Sequence, residues 1–118
     1  DPDEPLVDIP ISIVIESLGN NDMVSLPKEF ALYHNYPNPF NPATTIRFDV
    51  SMRAFANQRT SLQVYDITGR LVEMLVDEKL DPGSYELKWN ASRHSNGVYF
   101  LRMESGSFTK TQKMILLK

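Results

Sequence analysis

The chain has 118 residues, 42% of them hydrophobic, and no cysteine. That length allows one domain around one core, and the missing cysteine excludes disulfides, thiolate zinc sites and cysteine nucleophiles. Residues 1–30 carry seven acidic side chains and one basic, a net −6, while residues 31–118 carry eight and eleven, a net +3; the weak positive charge is spread over several segments, which argues against nucleic-acid binding, and no apolar run approaches the roughly 20 residues of a membrane-spanning helix.

The opening Asp1-Pro2-Asp3-Glu4-Pro5 lacks the basic start and apolar stretch of a signal peptide. Residues 1–10 read as a solvated acidic tether. Ile11-Ser12-Ile13-Val14-Ile15-Glu16 places isoleucine at alternate positions, the pattern of a half-buried strand. Left alone, a strand over Ile11–Ser17 is adhesive. It ends a preceding domain, pairs with this one, or pairs with a second copy to make a homodimer. Leu18-Gly19-Asn20-Asn21-Asp22 is a turn or linker signal. The expected division is 1–25, an acidic linker with one strand that forms the tail of a preceding region, and 26–118, a folded domain.

A strand is expected over Phe30–Asn35. It runs into Asn35-Tyr36-Pro37-Asn38-Pro39-Phe40-Asn41-Pro42, where three prolines and three asparagines surround two aromatics. Proline fixes φ and disfavours helix in the residue before it, so this box is an extended, kinked lead-in. Its asparagines can satisfy the backbone groups such a kink leaves unpaired. Alternation then predicts strands at Thr44–Val50 and, after a loop over Ser51–Thr60, at Ser61–Tyr65. Asp66-Ile67-Thr68-Gly69 is a tight turn with Gly69 supplying positive φ. Further strands follow at Leu71–Val76, at Ser84–Trp89 after the Leu80-Asp81-Pro82-Gly83 turn, and at Gly97–Glu104 after a polar loop. Val98 to Leu101 is apolar on both faces, which marks a central strand. Ser105-Gly106-Ser107 turns the chain into a last strand over Phe108–Leu117.

No stretch has convincing helical spacing. Seven strands with regular turn signals predict an all-β fold, an antiparallel immunoglobulin-like or fibronectin type III-like β-sandwich. Ile46, Phe48, Leu62, Val64, Tyr85, Leu87, Trp89, Tyr99 and Leu101 are expected to line its core. Truncating one large member to alanine costs about 2–5 kcal/mol.

The residues offer no catalytic constellation, cofactor site or metal site. His34 and His94 are far apart and outside any metal-ligand spacing, and each reads as a solvated loop histidine. Asp66 reads as a turn-opening carboxylate that accepts the amides following it. No Asp-x-Asp-x-Asp loop supports calcium. Trp89 and Tyr85 could form a sugar-stacking platform, but their alternation on one strand favours the core.

The proline-asparagine box, Val64-Tyr65-Asp66-Ile67-Thr68-Gly69-Arg70, Gly83-Ser84-Tyr85, Gly97-Val98-Tyr99-Phe100 and a lysine-ended last strand occur in that order. Together they resemble the type A C-terminal sorting domain of proteins exported by the type IX secretion system of Gram-negative bacteria. The resemblance covers about residues 26–118. It marks Asn35, Tyr36, Pro37, Asn38, Pro39, Phe40, Asn41, Asp66, Gly69, Gly83, Gly97, Tyr99, Lys113 and Lys118 as motif positions serving recognition or the fold.

The resemblance implies a non-enzymatic address label at the C-terminus of a cargo domain. It would fold in the periplasm and be recognised by outer-membrane export machinery. A sortase-like peptidase would cleave upstream, leaving the cargo on the cell surface or secreted. The sequence would then be a fragment of a longer exported chain. Gly19, Asn20, Asn21, Asp22 and Pro27 place the expected processing site in or near residues 19–29. The competing readings are a carbohydrate-binding or a structural immunoglobulin-like accessory module of a secreted hydrolase.

Overall fold

The structure, a computed structural model, describes residues 11–14 and 26–118. It contains β1 (Ile11–Val14), β2 (Ala31–Leu32), β3 (Ala43–Val50), β4 (Arg59–Tyr65), β5 (Leu71–Lys79), β6 (Gly83–Asn90), β7 (Gly97–Ser105) and β8 (Phe108–Leu116). No helix occurs among the described residues. Two four-stranded antiparallel sheets form, in the orders β1-β6-β3-β2 and β5-β4-β7-β8. The expected all-β sandwich is therefore present, with β2–β8 as its seven strands and β1 joined to the first sheet.

Alternation drives this arrangement. In β3, Thr44, Ile46, Phe48 and Val50 point inward and are buried, while Arg47 is exposed. β6 does the same with Tyr85, Leu87 and Trp89 against exposed Lys88. All nine residues expected in the core are 7% exposed or less. Leu32, Phe40, Val50, Leu75, Val76, Ala91, Met103, Met114 and Leu116 complete it. β7 lies between β4 and β8, as its two apolar faces require.

Two elements differ from the sequence expectation. The strand expected over Phe30–Asn35 shortens to two residues, followed by a lone bridge from Tyr36 to Thr45. Pro37 has no N–H to continue the ladder, and the Asn35 side chain turns inward to Thr44. β5 runs on to Lys79 because Arg59 holds Asp77 through both its carboxylate and its carbonyl. Register shifts opposite Leu62/Gln63 and Val64/Tyr65 also insert extra residues into β5, so that adjacent Leu75 and Val76 are both buried. In the constant-type immunoglobulin arrangement the fourth strand sits beside the fifth. Here the tight 66–70 turn keeps β5 beside β4, and β1 occupies the place next to β6.

Strand direction gives the sandwich two ends. At one, the Pro27 carbonyl accepts the Met52 amide (2.8 Å) and Ser51 Oγ donates to the Lys28 carbonyl (2.8 Å). The chain therefore comes into β2 from this proximal end. At the distal end lie the proline-asparagine box, the 66–70 turn, the 91–96 loop and the C-terminus. The eight residues of β3 separate the two ends, about 26 Å at strand rise.

Near the distal end Trp89 is enclosed by Phe40, His94 and Tyr99, with ring centroids 5.7, 5.6 and 6.1 Å away. Its Nε1–H donates to Glu73 Oε1 at 3.0 Å, and His94 Nε2 lies 3.1 Å from the same oxygen. Glu73 thereby ties β5 of one sheet to β6 of the other. The reading of His94 as a solvated loop residue is corrected here: its ring packs on Trp89 and Tyr99. His34 is exposed. Replacing Glu73 with alanine leaves a largely buried indole donor unpaired, at a cost of about 1–3 kcal/mol. Glu73→Gln keeps an acceptor and should recover part of that loss, as measured by urea unfolding followed through Trp89 fluorescence.

Candidate recognition surface

The proline-asparagine box works as an edge strand made largely without backbone donors. Pro37, Pro39 and Pro42 lack N–H groups, and the peptide bonds preceding them are cis. The asparagine side chains supply amides in their place. Asn38 Nδ2 donates to the Lys113 carbonyl at 3.2 Å, and Asn38 Oδ1 accepts the Ile115 amide at 2.9 Å. Phe40 continues the pairing in parallel with β8: its amide donates to the Ile115 carbonyl (2.9 Å) and its carbonyl accepts from Leu117 (3.0 Å). The Phe40 ring is buried against Trp89. Asn35 is buried, with Nδ2 3.0 Å from Thr44 Oγ1, which itself donates to the Pro37 carbonyl at 2.8 Å. The Pro42 carbonyl accepts the Ala91 amide. Tyr36 is 80% exposed, and Pro37, Asn38, Pro39 and Asn41 are exposed as well.

The 66–70 turn is organised by one carboxylate. Asp66 Oδ1 accepts the Thr68 amide (2.9 Å), the Thr68 hydroxyl (2.6 Å) and the Arg70 amide (3.1 Å). Gly69 at φ 87° lets its amide return to the Asp66 carbonyl. These hydrogen bonds, the Thr68 hydroxyl foremost, hold the Asp66 carboxyl below its ordinary value.

Gly83 and Gly97 each open a strand two residues before a buried tyrosine. The two hydroxyls each reach a carbonyl four residues back, Tyr85 to Asp81 and Tyr99 to Ser95, both at 2.6 Å. This is the tyrosine-corner device of sandwich folds, used twice. Gly97 adopts φ 150°, which L side chains rarely take. Burial pushes the Tyr85 hydroxyl above its ordinary value, helped by the Asp81 and Glu78 carboxylates. Trp89 and Tyr85 are 1% and 4% exposed, so neither can stack on a sugar.

Motifs 80 residues apart in sequence thus meet at the distal end. On the outer face of the β5-β4-β7-β8 sheet, Leu71, Tyr65, Phe100 and Lys113 stand in one cross-strand row, with Val98 opposite Ile115 in the next. Ile67 is 74% exposed at the turn tip. Tyr65, Asp66, Ile67, Gly69, Phe100, Arg102 and Thr111 line a shallow cavity of about 310 Å³. Lys113 is exposed beside it. The Lys118 amide is held by Asn96 Oδ1 (2.9 Å), and its Nζ donates to the Ser92 carbonyl (3.2 Å). The outer face of the other sheet is instead polar, with Arg47 near Glu86 (3.7 Å) and Ser84 bonded to Asp49 (2.7 Å).

The motif positions therefore divide. Asn35, Asn38, Phe40, Asp66, Gly69, Gly83, Gly97 and Tyr99 build the fold, while Tyr36, Pro37, Pro39, Asn41, Lys113 and Lys118 face solvent. Tyr65, Ile67 and Phe100 belong to the same exposed face and were not singled out from sequence. The signal was present: a buried Tyr99 on a strand turns its neighbour Phe100 outward. No group of three or more His, Cys, Asp or Glu among the described residues could hold a metal.

Two outcomes follow. Asn38→Ala removes two solvent-exposed hydrogen bonds, about 1–2 kcal/mol together, and should accelerate hydrogen exchange at the Ile115 amide. Because the folded Asp66 carboxyl lies below its unfolded value, its stabilisation is complete above the ordinary carboxylate range and is lost as pH falls through the folded value. The melting-temperature gap between wild type and Asp66→Ala should be full at about pH 6 and should narrow as pH falls below the ordinary carboxylate range.

A family model described as a secretion system C-terminal sorting domain matches residues 34–117, well over half of the chain. No curated protein matches the sequence.

Proposed function

The chain belongs to the secretion system C-terminal sorting domain family, the type IX sorting signals, and on that premise we propose that residues 26–118 direct a cargo attached at their N-terminal side through the type IX system to the cell surface or the medium. The family is one of sorting signals and not of enzymes. The cargo precedes residue 26, and residues 1–25 are its tail. Outer-membrane export machinery reads the folded domain in the periplasm, and a sortase-like peptidase removes it in or near residues 19–29.

The observation that carries this reading beyond family membership is the meeting of the family's motifs, all but Gly83-Ser84-Tyr85, at the distal end of the sandwich. Its apolar row with Lys113 lies on the outer face of the sheet, open to a partner. Such a layout suits recognition of a folded domain by its turn tips and last strand.

Residues 26–118 fused to a periplasmic reporter should carry it to the surface of a strain with the export system. Retention of the wild-type fusion in the periplasm would sink the assignment. Lys113→Ala combined with Lys118→Ala, and separately Ile67→Ser, change exposed positions and should shift stability by less than about 0.5 kcal/mol. Each should leave more reporter in the periplasm, and normal export of both would remove the distal end as the recognised surface. Mass spectrometry of mature cargo should find its C-terminus within residues 19–29; cargo still carrying residues 30–118 would contradict processing there.

A further inference from the structure

We propose that the outer edge of β6 is a strand-acceptor site and that Ile11–Val14 is its exchangeable occupant. β6 is engaged by β3 along all eight of its residues, from Gly83 to Asn90. On its other side it is engaged by β1 over Ser84–Leu87 alone. Among the described residues β1 is an edge strand that pairs with β6 alone. Its register sets Ile11 opposite Leu87 and Ile13 opposite Tyr85, both residues of the core.

A backbone edge flanking core residues is adhesive when open, and it selects an extended segment with apolar residues at alternate positions. Ile11-Ser12-Ile13-Val14 has that pattern. Pro10, just before it, has no amide with which to extend the ladder, so the paired stretch is short. The chain has no cysteine, so the occupant is joined to the folded domain, which begins at Leu26, through residues 15–25 and no disulfide. A short tether supplies an effective concentration of about 1 mM. Once it is cut, a four-residue strand has to compete at its real concentration. The ligand class is thus an apolar β-strand segment: the domain's own upstream residues in the intact chain, and the same segment of another copy in trans after a cut.

The test inserts a site-specific protease sequence between Gly19 and Asn20 of the full chain. A fluorescent peptide of residues 8–17 is then titrated into intact and cut protein after gel filtration. The expected result is tighter binding to the cut protein than to the intact one by the ratio of about 1 mM tethered competitor to the peptide's own Kd, about 100-fold for a Kd of about 10 μM. The Ser12→Pro peptide should not bind. Hydrogen exchange should place the restored protection at Ser84–Leu87, with Trp89 fluorescence unchanged throughout. Equal binding to both forms, binding to neither, or loss of the Trp89 signal on cutting would overturn the proposal. The measurement needs no export machinery, so it succeeds or fails separately from the sorting assignment.

Discussion

The pairing of Asn38 and Phe40 with β8 is the contact on which the distal half of the molecule depends. A last strand has one neighbour and a row of unpaired backbone groups on its other side, which is a hazard for association. Here a single amide side chain and one residue of backbone cover that row from Lys113 to Leu117. The same Phe40 sends its ring into the core beside Trp89. One short segment therefore closes a sheet edge, bridges the two sheets and anchors the chain's end. Prolines on either side of Asn38 keep the segment extended, and the asparagine replaces the donors they remove.

A second set of contacts stiffens the same end from within. Glu73 holds Trp89 and His94 together across the sheets, and the Tyr99 hydroxyl fastens the 91–96 loop through Ser95. At the proximal end Tyr85 and Asp81 do the equivalent work. These inward polar atoms have partners, the condition under which buried polar groups do not destabilise, whereas the buried Gln112 amide and Asn35 Oδ1 have none. Without disulfides, this aromatic and hydrogen-bonded frame takes the place of the inter-sheet cysteine bridge of antibody domains.

The division of motif residues into inward and outward sets bears on how an address label works. A partner reads only what is exposed, so Tyr99 and Phe40 can matter to export only by shaping the surface. The Leu71, Tyr65, Phe100 and Lys113 row, with Ile67 at the turn tip, forms a surface of a different chemical kind from the polar face of the opposite sheet. An apolar patch with a charged rim is the kind of surface that marks interaction sites.

Period-two alternation determined from the sequence itself that the chain is a β-sandwich, which nine side chains form much of its core, and where most strands lie, because one buried face leaves that imprint on every strand. Asp66 and Gly69 were legible for the same local reason: a turn is made by neighbours in sequence. Only the tertiary structure decided that Asn38 meets Ile115, 77 residues away, and that His94 rests on Trp89 and shares Glu73 with it. It also decided that β1 lies against β6 and that the scattered motifs, all but Gly83-Ser84-Tyr85, share one end. Those contacts join residues far apart in the chain through single side chains or single strand edges. They have no period and no local pattern, so nothing short of the folded arrangement could specify them.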